Sequence, residues 1–113
     1  MERKVFNKLV RDKIPALLDE NGGETETKIL NDKEYIKCLY EKLKEECTEV
    51  TEATSKEDLT EELADLYEVI LSLIKVQNIT TQDIENIRIQ KKKKRGGFDS
   101  KIFLKSSNIV DKI

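Results

Sequence analysis

The amino-acid sequence predicts an all-α protein, built as a four-helix-type bundle within a single domain that spans residues 1–113. The length of 113 residues suits one ordinary domain. Apolar residues make up 37% of the chain and charged residues 39%, a combination that favours amphipathic helices over packed sheets. Apolar side chains also recur at the helical period along several stretches. We expect oligomerisation to complete the core of so small and so charged a helical domain.

The first helix is predicted over residues 7–21, followed by a loop or short extended segment over 24–30. Pro15 lies inside the helical pattern, which indicates a kink or a helix that properly starts near this residue. Gly22 and Gly23 end the pattern, as glycine often does after a helix. The apolar positions of this helix are Leu9, Val10, Ile14, Leu17 and Leu18.

Two long helices should follow, joined by a short connection. Asn31 offers an N-cap for a second helix that runs to about residue 53. Ser55 offers a cap for a third helix over about 56–77, with acidic residues at capping-box distance. The apolar stripes comprise Ile36, Leu39, Leu43, Cys47 and Val50 in the second helix, and Leu59, Leu63, Leu66, Tyr67, Ile70, Leu71 and Ile74 in the third.

The apolar arc of the third helix is wider than one neighbouring helix can cover. Val69 and Leu73 extend the stripe beyond the width that packs on a single partner. We therefore expect at least a dimer that buries Val69 or Leu73.

The C-terminal third of the chain should hold a fourth helix and a short extended segment. This helix is expected to start at Thr80 or Thr81 and to continue into the lysine run. Gly96 and Gly97 then indicate a loop, and residues 101–104 are predicted to form a short strand.

Missing residue types exclude several kinds of catalysis. The chain contains no histidine, which rules out Ser-His-Asp and Cys-His mechanisms and the HExxH zinc site. No phosphate-binding GxxxxGK[ST] loop is present either. Any chemistry must therefore come from carboxylates, Lys, Arg, hydroxyls or a metal ion.

The cysteines and the hydropathy pattern bear on the compartment. Cys38 and Cys47 lie on one predicted helix and cannot reach each other, so we predict two free thiols in a reducing environment. The sequence has neither a signal peptide nor an apolar run of membrane length. We expect a cytoplasmic protein without a membrane partner.

Acidic and basic residues are separated along the chain. Residues 41–68 carry eleven acids and three bases, whereas 88–95 carry six bases and no acid. This separation could bring a cation and an anionic ligand together, although solvated helix faces give the same counts. A net charge of −2 and the lack of aromatics among the bases argue against a nucleic-acid partner.

Two pairs of carboxylates are the most informative feature of the sequence. Residues three apart on a helix lie on one face, so Glu46 and Glu49 project together from the second helix. Glu62 and Asp65 do the same on the third. The short connection makes these helices antiparallel neighbours, which allows the two pairs to face each other.

The position of these carboxylates beside the apolar stripes points to a cation. A carboxylate at the margin of a core is costly unless its charge is compensated. All-oxygen ligands would select Mg²⁺, Mn²⁺ or Ca²⁺ over zinc. Solvated Glu pairs at this spacing are also common, so the spacing alone leaves both interpretations open.

The order of motifs resembles the all-α nucleoside triphosphate pyrophosphohydrolases, a superfamily that includes MazG-like enzymes, dimeric dUTPases and phosphoribosyl-ATP pyrophosphohydrolase. The resemblance rests on Glu-Glu-x-x-Glu at 45–49 and Glu-x-x-Asp at 62–65. The stretch Asn-Lys-Leu-Val-Arg-Asp-Lys-Ile-Pro at 7–15 and the stretch Lys-Arg-Gly-Gly-Phe at 94–98 resemble one branch of it, which is MazG-like and similar to phosphoribosyl-ATP pyrophosphohydrolase. The resemblance covers most of residues 7–104 in matching order.

The resemblance implies a bundle of this superfamily's kind and a reaction that releases a nucleoside monophosphate and pyrophosphate. It also implies a dimer or tetramer. Mg²⁺, with Mn²⁺ as a substitute, would be held by Glu46, Glu49, Glu62 and Asp65. Glu45 would orient or deprotonate the attacking water. The polyphosphate chain would need basic partners, for which the candidates are Lys8, Arg11, Lys13, Lys91, Lys94 and Arg95.

Three functions stay open at this point. A general or house-cleaning nucleotide hydrolase is favoured, because phosphoribosyl-ATP pyrophosphohydrolase of histidine biosynthesis tends to lack the N-terminal stretch seen here. That enzyme is the nearest alternative. A non-catalytic helical module that binds a nucleotide or a partner is the third.

Overall fold

Four α-helices make up the regular structure of the protein in a computed structural model that describes residues 2–110. The helices are α1 (Ile14–Glu20), α2 (Asp32–Thr51), α3 (Lys56–Val76) and α4 (Thr81–Arg95). Residues 2–110 contain no β-strand. The all-α prediction is therefore confirmed, and the predicted strand at 101–104 is wrong.

Helix α1 begins later than the sequence pattern indicates. Pro15 occupies its first turn, where the missing N–H costs nothing. A helix that extended back from Pro15 would bring the proline ring against the carbonyl of Arg11. The peptide N–H of Ile14 instead donates to that carbonyl over 3.1 Å in a turn. Residues 7–13 consequently form a non-helical segment in front of α1.

Side-chain caps fix the starts of the two long helices. The side chain of Asn31 accepts a hydrogen bond from the N–H of Glu34, whose carboxylate accepts from the N–H of Asn31, so both members of a capping box are present. Ser55 accepts from the N–H of Asp58 at the start of α3. The Ser55 cap marks the end of the four-residue connection 52–55, which turns the chain back on itself.

Helices α2 and α3 pack against each other as an antiparallel hairpin. Leu39 on α2 is 2% exposed and Val69 on α3 is 7% exposed, and they are the only buried apolar residues among 2–110. The hairpin therefore has a thin core, and its two long helices supply the rigid frame for the carboxylates.

A second apolar face of α3 points away from α2. Leu63, Tyr67 and Ile70 follow each other at helical spacing, and Tyr67 is 64% exposed. Val69 is already buried within one chain, so the part of the interface prediction that named Val69 is wrong, and the part that named Leu73 stays a prediction. Leu73 is half-buried. The surface that a second copy could cover is instead the face of Leu63, Tyr67 and Ile70.

The chain divides into two compact units, residues 1–80 and 81–113. The second unit contains α4. Gly96 follows the last residue of this helix and adopts a left-handed conformation with φ of +84°. The apolar residues at 102–104 are exposed and have no strand to pair with in the described chain. The prediction of one domain over 1–113 stays a prediction.

Two smaller expectations concern the thiols and the membrane. Cys38 and Cys47 are both free, as predicted. Within residues 2–110, none of the helices is both long enough and apolar enough to cross a membrane.

Candidate metal centre

The α2–α3 hairpin brings carboxylates from both helices to one place. Oxygen atoms of Glu46, Glu62 and Asp65 all lie within 4.8 Å of one another. Glu46 lies in the second-last turn of α2, and the other two residues lie in the second and third turns of α3. The short connection at 52–55 makes these stretches face each other. The structure thus brings together three of the four carboxylates named from the sequence, and their role as metal ligands stays a prediction.

Glu46 is the buried member of this group. Its residue surface is only 8% exposed, and it is the single buried charged residue among those described. Burial raises the pKa of Glu46, and the charges of Asp65, Glu45 and Glu49 raise it further. The ammonium of Lys42, 3.7 Å from Glu46 Oε1, acts in the opposite direction. Glu46 therefore carries a charge that its surroundings compensate incompletely.

Glu62, like Glu46, has a raised pKa. Its pKa is raised first by burial and then by the negative charges of neighbouring carboxylates, of which Glu49 contributes most. Glu49 itself is exposed and lies outside the three-residue group. Its charge nevertheless acts on both Glu46 and Glu62, so Glu49 lies near the group without belonging to it.

Basic side chains from the N-terminal segment reach this acidic group. Arg11 donates from Nη2 to Asp65 Oδ1 over 2.8 Å. Lys8 donates from Nζ to Glu45 Oε1 over 3.2 Å, and Lys42 Nζ lies 3.7 Å from the other oxygen of Glu45. Two of the six predicted phosphate-binding residues therefore lie beside the carboxylates.

Lys42 was not predicted from the sequence. It lies three residues before Glu45 and four before Glu46, a spacing at which helical residues are neighbours. That spacing could have identified it. Glu45 thus has a lysine on each carboxylate oxygen and does not belong to the group of Glu46, Glu62 and Asp65.

Lys13, Lys91, Lys94 and Arg95 complete the set of predicted phosphate-binding residues. Lys13 is the exposed N-cap residue of α1. Lys91, Lys94 and Arg95 are exposed on the last turns of α4, which belongs to the second unit. Cations near the C-terminus of a helix interact favourably with the negative end of its dipole. These basic residues of α4 therefore have a structural role that is independent of any ligand.

The donor set fits a hard divalent cation. Three carboxylates supply oxygen ligands, and within residues 2–110 no nitrogen or sulfur donor joins them, which matches the preference of Mg²⁺ or Mn²⁺. Burial first, and then the like charges of neighbouring carboxylates, raise the pKa values of Glu46 and Glu62. A cation at this position would relieve that repulsion.

The all-helical fold and the acidic group across the helical hairpin are consistent with the class of all-α metal-dependent nucleotide hydrolases. Residues 11–93, nearly three-quarters of the chain, match the family described as phosphoribosyl-ATP pyrophosphohydrolase. The chain belongs to this family, which is part of the all-α nucleoside triphosphate pyrophosphohydrolase superfamily. It is therefore a pyrophosphohydrolase, a hydrolase acting on phosphoric anhydride bonds, and enzymes of its family depend on a divalent metal.

Comparisons with curated proteins and with solved structures give no match to the chain. The family match leaves residues 1–10 and 94–113 outside its range. Lys8, Lys94 and Arg95 consequently lie beyond the part of the chain that carries the family pattern.

Proposed function

We propose that this enzyme hydrolyses a nucleoside triphosphate, or a related nucleotide, to a nucleoside monophosphate and pyrophosphate in a house-cleaning role. The observation that carries the proposal is the gathering of Glu46, Glu62 and Asp65 oxygens within 4.8 Å of one another. Such a group is suited to a polyanionic substrate because a metal held there can neutralise charge that develops on phosphate.

Glu46, Glu49, Glu62 and Asp65 would hold Mg²⁺, or Mn²⁺ in its place. The metal would supply Lewis-acid stabilisation of the phosphate oxygens and a more acidic bound water. Glu49 has the weakest geometric support, because it borders the group without joining it. Its charge beside Glu46 and Glu62 still supports a ligand role, since extra negative charge tightens cation binding.

Glu45 would take the proton of the attacking water. It lies next to Glu46 on α2 but outside the three-residue group, which supports a role separate from metal binding. Lys8 and Lys42 both contact its carboxylate. We expect one of these lysines to release Glu45 when substrate binds, because a base must reach the water that it deprotonates.

The bases Lys8, Arg11, Lys13, Lys91, Lys94 and Arg95 would contact the phosphate chain. Lys8 and Arg11 have the strongest support, since both lie beside carboxylates of the proposed metal centre. The four others rest on the sequence alone, because a polyphosphate chain needs basic partners.

A second candidate substrate is phosphoribosyl-ATP, which the description of the matched family names. The N-terminal stretch favours the house-cleaning role over this one. The family match begins only at Arg11, yet Lys8, which precedes it, contacts Glu45. Residues outside the family pattern thus contribute to the proposed site.

A substrate panel separates these candidates. The enzyme would be incubated with canonical and modified nucleoside triphosphates and with phosphoribosyl-ATP, each with Mg²⁺ or Mn²⁺, and pyrophosphate release would be measured. We expect a higher kcat/KM for a triphosphate than for phosphoribosyl-ATP. The reverse order would replace the house-cleaning role with the biosynthetic one.

We also propose that the enzyme works as a homodimer or homotetramer in the cytoplasm. The exposed face of Leu63, Tyr67 and Ile70 supports the assembly, because an apolar stripe on a helix tends to be covered by a partner. Two free cysteines agree with a reducing compartment.

A further inference from the structure

The non-helical segment at residues 7–13, which we name the N-terminal arm, is bonded to both helices of the hairpin. Lys8 donates to Glu45 on α2 over 3.2 Å, and Arg11 donates to Asp65 on α3 over 2.8 Å. Among residues 2–110, the arm forms no ion pair other than these two. It therefore supplies two of the three cations that contact the acidic site, the third being Lys42.

Arg11 and a metal ion would bind the same carboxylate, that of Asp65. Asp65 is one of the three residues whose oxygens gather within 4.8 Å, and its Oδ1 accepts the hydrogen bond from Arg11. A divalent cation held by Asp65 would lie within a few ångströms of the guanidinium. Two positive charges at that separation repel each other, so each weakens the hold of the other on Asp65.

The contact between Arg11 and Asp65 is easily given up. The side chains are 57% and 44% exposed, and ion pairs exposed to water contribute little to stability. Lys42, in contrast, lies within the rigid helix α2 with its side chain 20% exposed. The arm is consequently the part of the site whose cations can move without disturbing the hairpin.

We infer that Arg11 is an exchanging counter-ion, which competes with the divalent cation for Asp65 and passes to a phosphate group of the substrate when the cation binds. The inference rests on the proposed function and assigns a positioning role to the arm within it. A guanidinium that leaves a carboxylate can bind two phosphate oxygens at once with its planar fork. The cation therefore frees Arg11 for the nucleotide, and the two ligands favour each other's binding.

Calorimetric titration with Mn²⁺ in the absence of nucleotide tests the first half of the exchange. We expect Arg11→Gln to bind Mn²⁺ roughly two- to fivefold more tightly than the wild type, which is the range for removing one exposed ionic competitor. Lys28→Gln is the matched control, because it removes one exposed cation paired to Glu34 at 3.2 Å, away from the site. Its Mn²⁺ affinity should equal that of the wild type.

Titration with a nucleoside triphosphate carrying a non-hydrolysable α,β-methylene bridge, in saturating Mn²⁺, tests the second half. Arg11→Gln should weaken this binding about tenfold, as expected for losing a hydrogen bond to a charged group. Arg11→Lys keeps the charge but lacks the planar fork. It should bind Mn²⁺ as the wild type does and bind the analogue less tightly.

Weaker or unchanged Mn²⁺ binding by Arg11→Gln would overturn the inference, since Arg11 would then orient Asp65 or leave it unaffected. Unchanged binding of the analogue would overturn it as well. The Mn²⁺ titration contains no nucleotide, so its result is independent of whether the proposed hydrolysis occurs. A circular-dichroism melt of each variant would verify that the hairpin is folded.

Discussion

In excess EDTA, the Glu46→Gln variant should be more stable than the wild type. In saturating Mn²⁺, the variant should be less stable than the wild type. Two unit charges 4.8 Å apart, the upper limit for the carboxylate oxygens, repel by about 0.9 kcal/mol in water. Glu46 faces two such partners. Lys42, 3.7 Å from Glu46, attracts it by about 1.1 kcal/mol at the same dielectric constant. Removing the charge of Glu46 should therefore increase the free energy of unfolding by about 0.6 kcal/mol.

The assay is a thermal melt in excess EDTA and again in saturating Mn²⁺. The gain corresponds to a melting temperature about 3 °C higher in EDTA. Adding Mn²⁺ should raise the melting temperature of the wild type more than that of the variant, because a ligand stabilises only the state that binds it. Glu41→Gln is the control, since Glu41 is exposed, forms no ion pair among residues 2–110 and lies on the opposite face of α2. A Glu46 variant that melts below the wild type in EDTA, or gains as much from Mn²⁺, would refute the reasoning.

The pH dependence of the chelated wild type follows from the same charges. The pKa values of Glu46 and Glu62 are raised above 4.5 in the folded protein. Their contribution to stability is therefore present below pH 4.5 and is lost as the pH rises through the raised values. Glu46→Gln should flatten this decline. A decline of the same depth in the variant would show that Glu46 is not its source.

Three further predictions concern catalysis, the core and assembly. Glu45→Gln should keep its Mn²⁺ affinity while turnover falls by roughly 10²–10⁴-fold, whereas Asp65→Asn should lose both; equal loss of metal in the two variants would make Glu45 a ligand. Leu39→Ala should lower the free energy of unfolding by about 2–4 kcal/mol in denaturant titration, and a loss below 1 kcal/mol would mean that this core position is not well packed. Tyr67→Asp should convert the proposed oligomer into monomers in sedimentation experiments, and an unchanged mass would contradict an interface at Tyr67.

The long helices and the carboxylate group could be predicted because capping and helical spacing determine them. The cap at Asn31 lies three residues from its partner Glu34, and Glu62 and Asp65 share a face by helical spacing alone. A short connection then brings α2 and α3 together. Each step needs only residues that are close in sequence.

The arm could not be predicted in the same way. Lys8 and Glu45 are 37 residues apart, and Arg11 and Asp65 are 54 apart, so no spacing rule connects them. The helical pattern of residues 7–13 was also misleading, since Pro15 prevents α1 from extending backwards. Residues 101–104 carry an apolar run typical of a strand, but a strand forms only where another strand supplies hydrogen bonds.

The central claim is that the carboxylates of the α2–α3 hairpin hold the divalent cation on which pyrophosphate release depends. Its most direct test is pyrophosphate release from the best triphosphate of the panel, measured for the wild type and Asp65→Asn in EDTA and after Mg²⁺, Mn²⁺ or Ca²⁺ is restored. We expect no release in EDTA, recovery of the wild type with Mg²⁺ or Mn²⁺, poor recovery with Ca²⁺, and none for the variant. Full activity in excess EDTA, or a variant as active as the wild type, would contradict the claim.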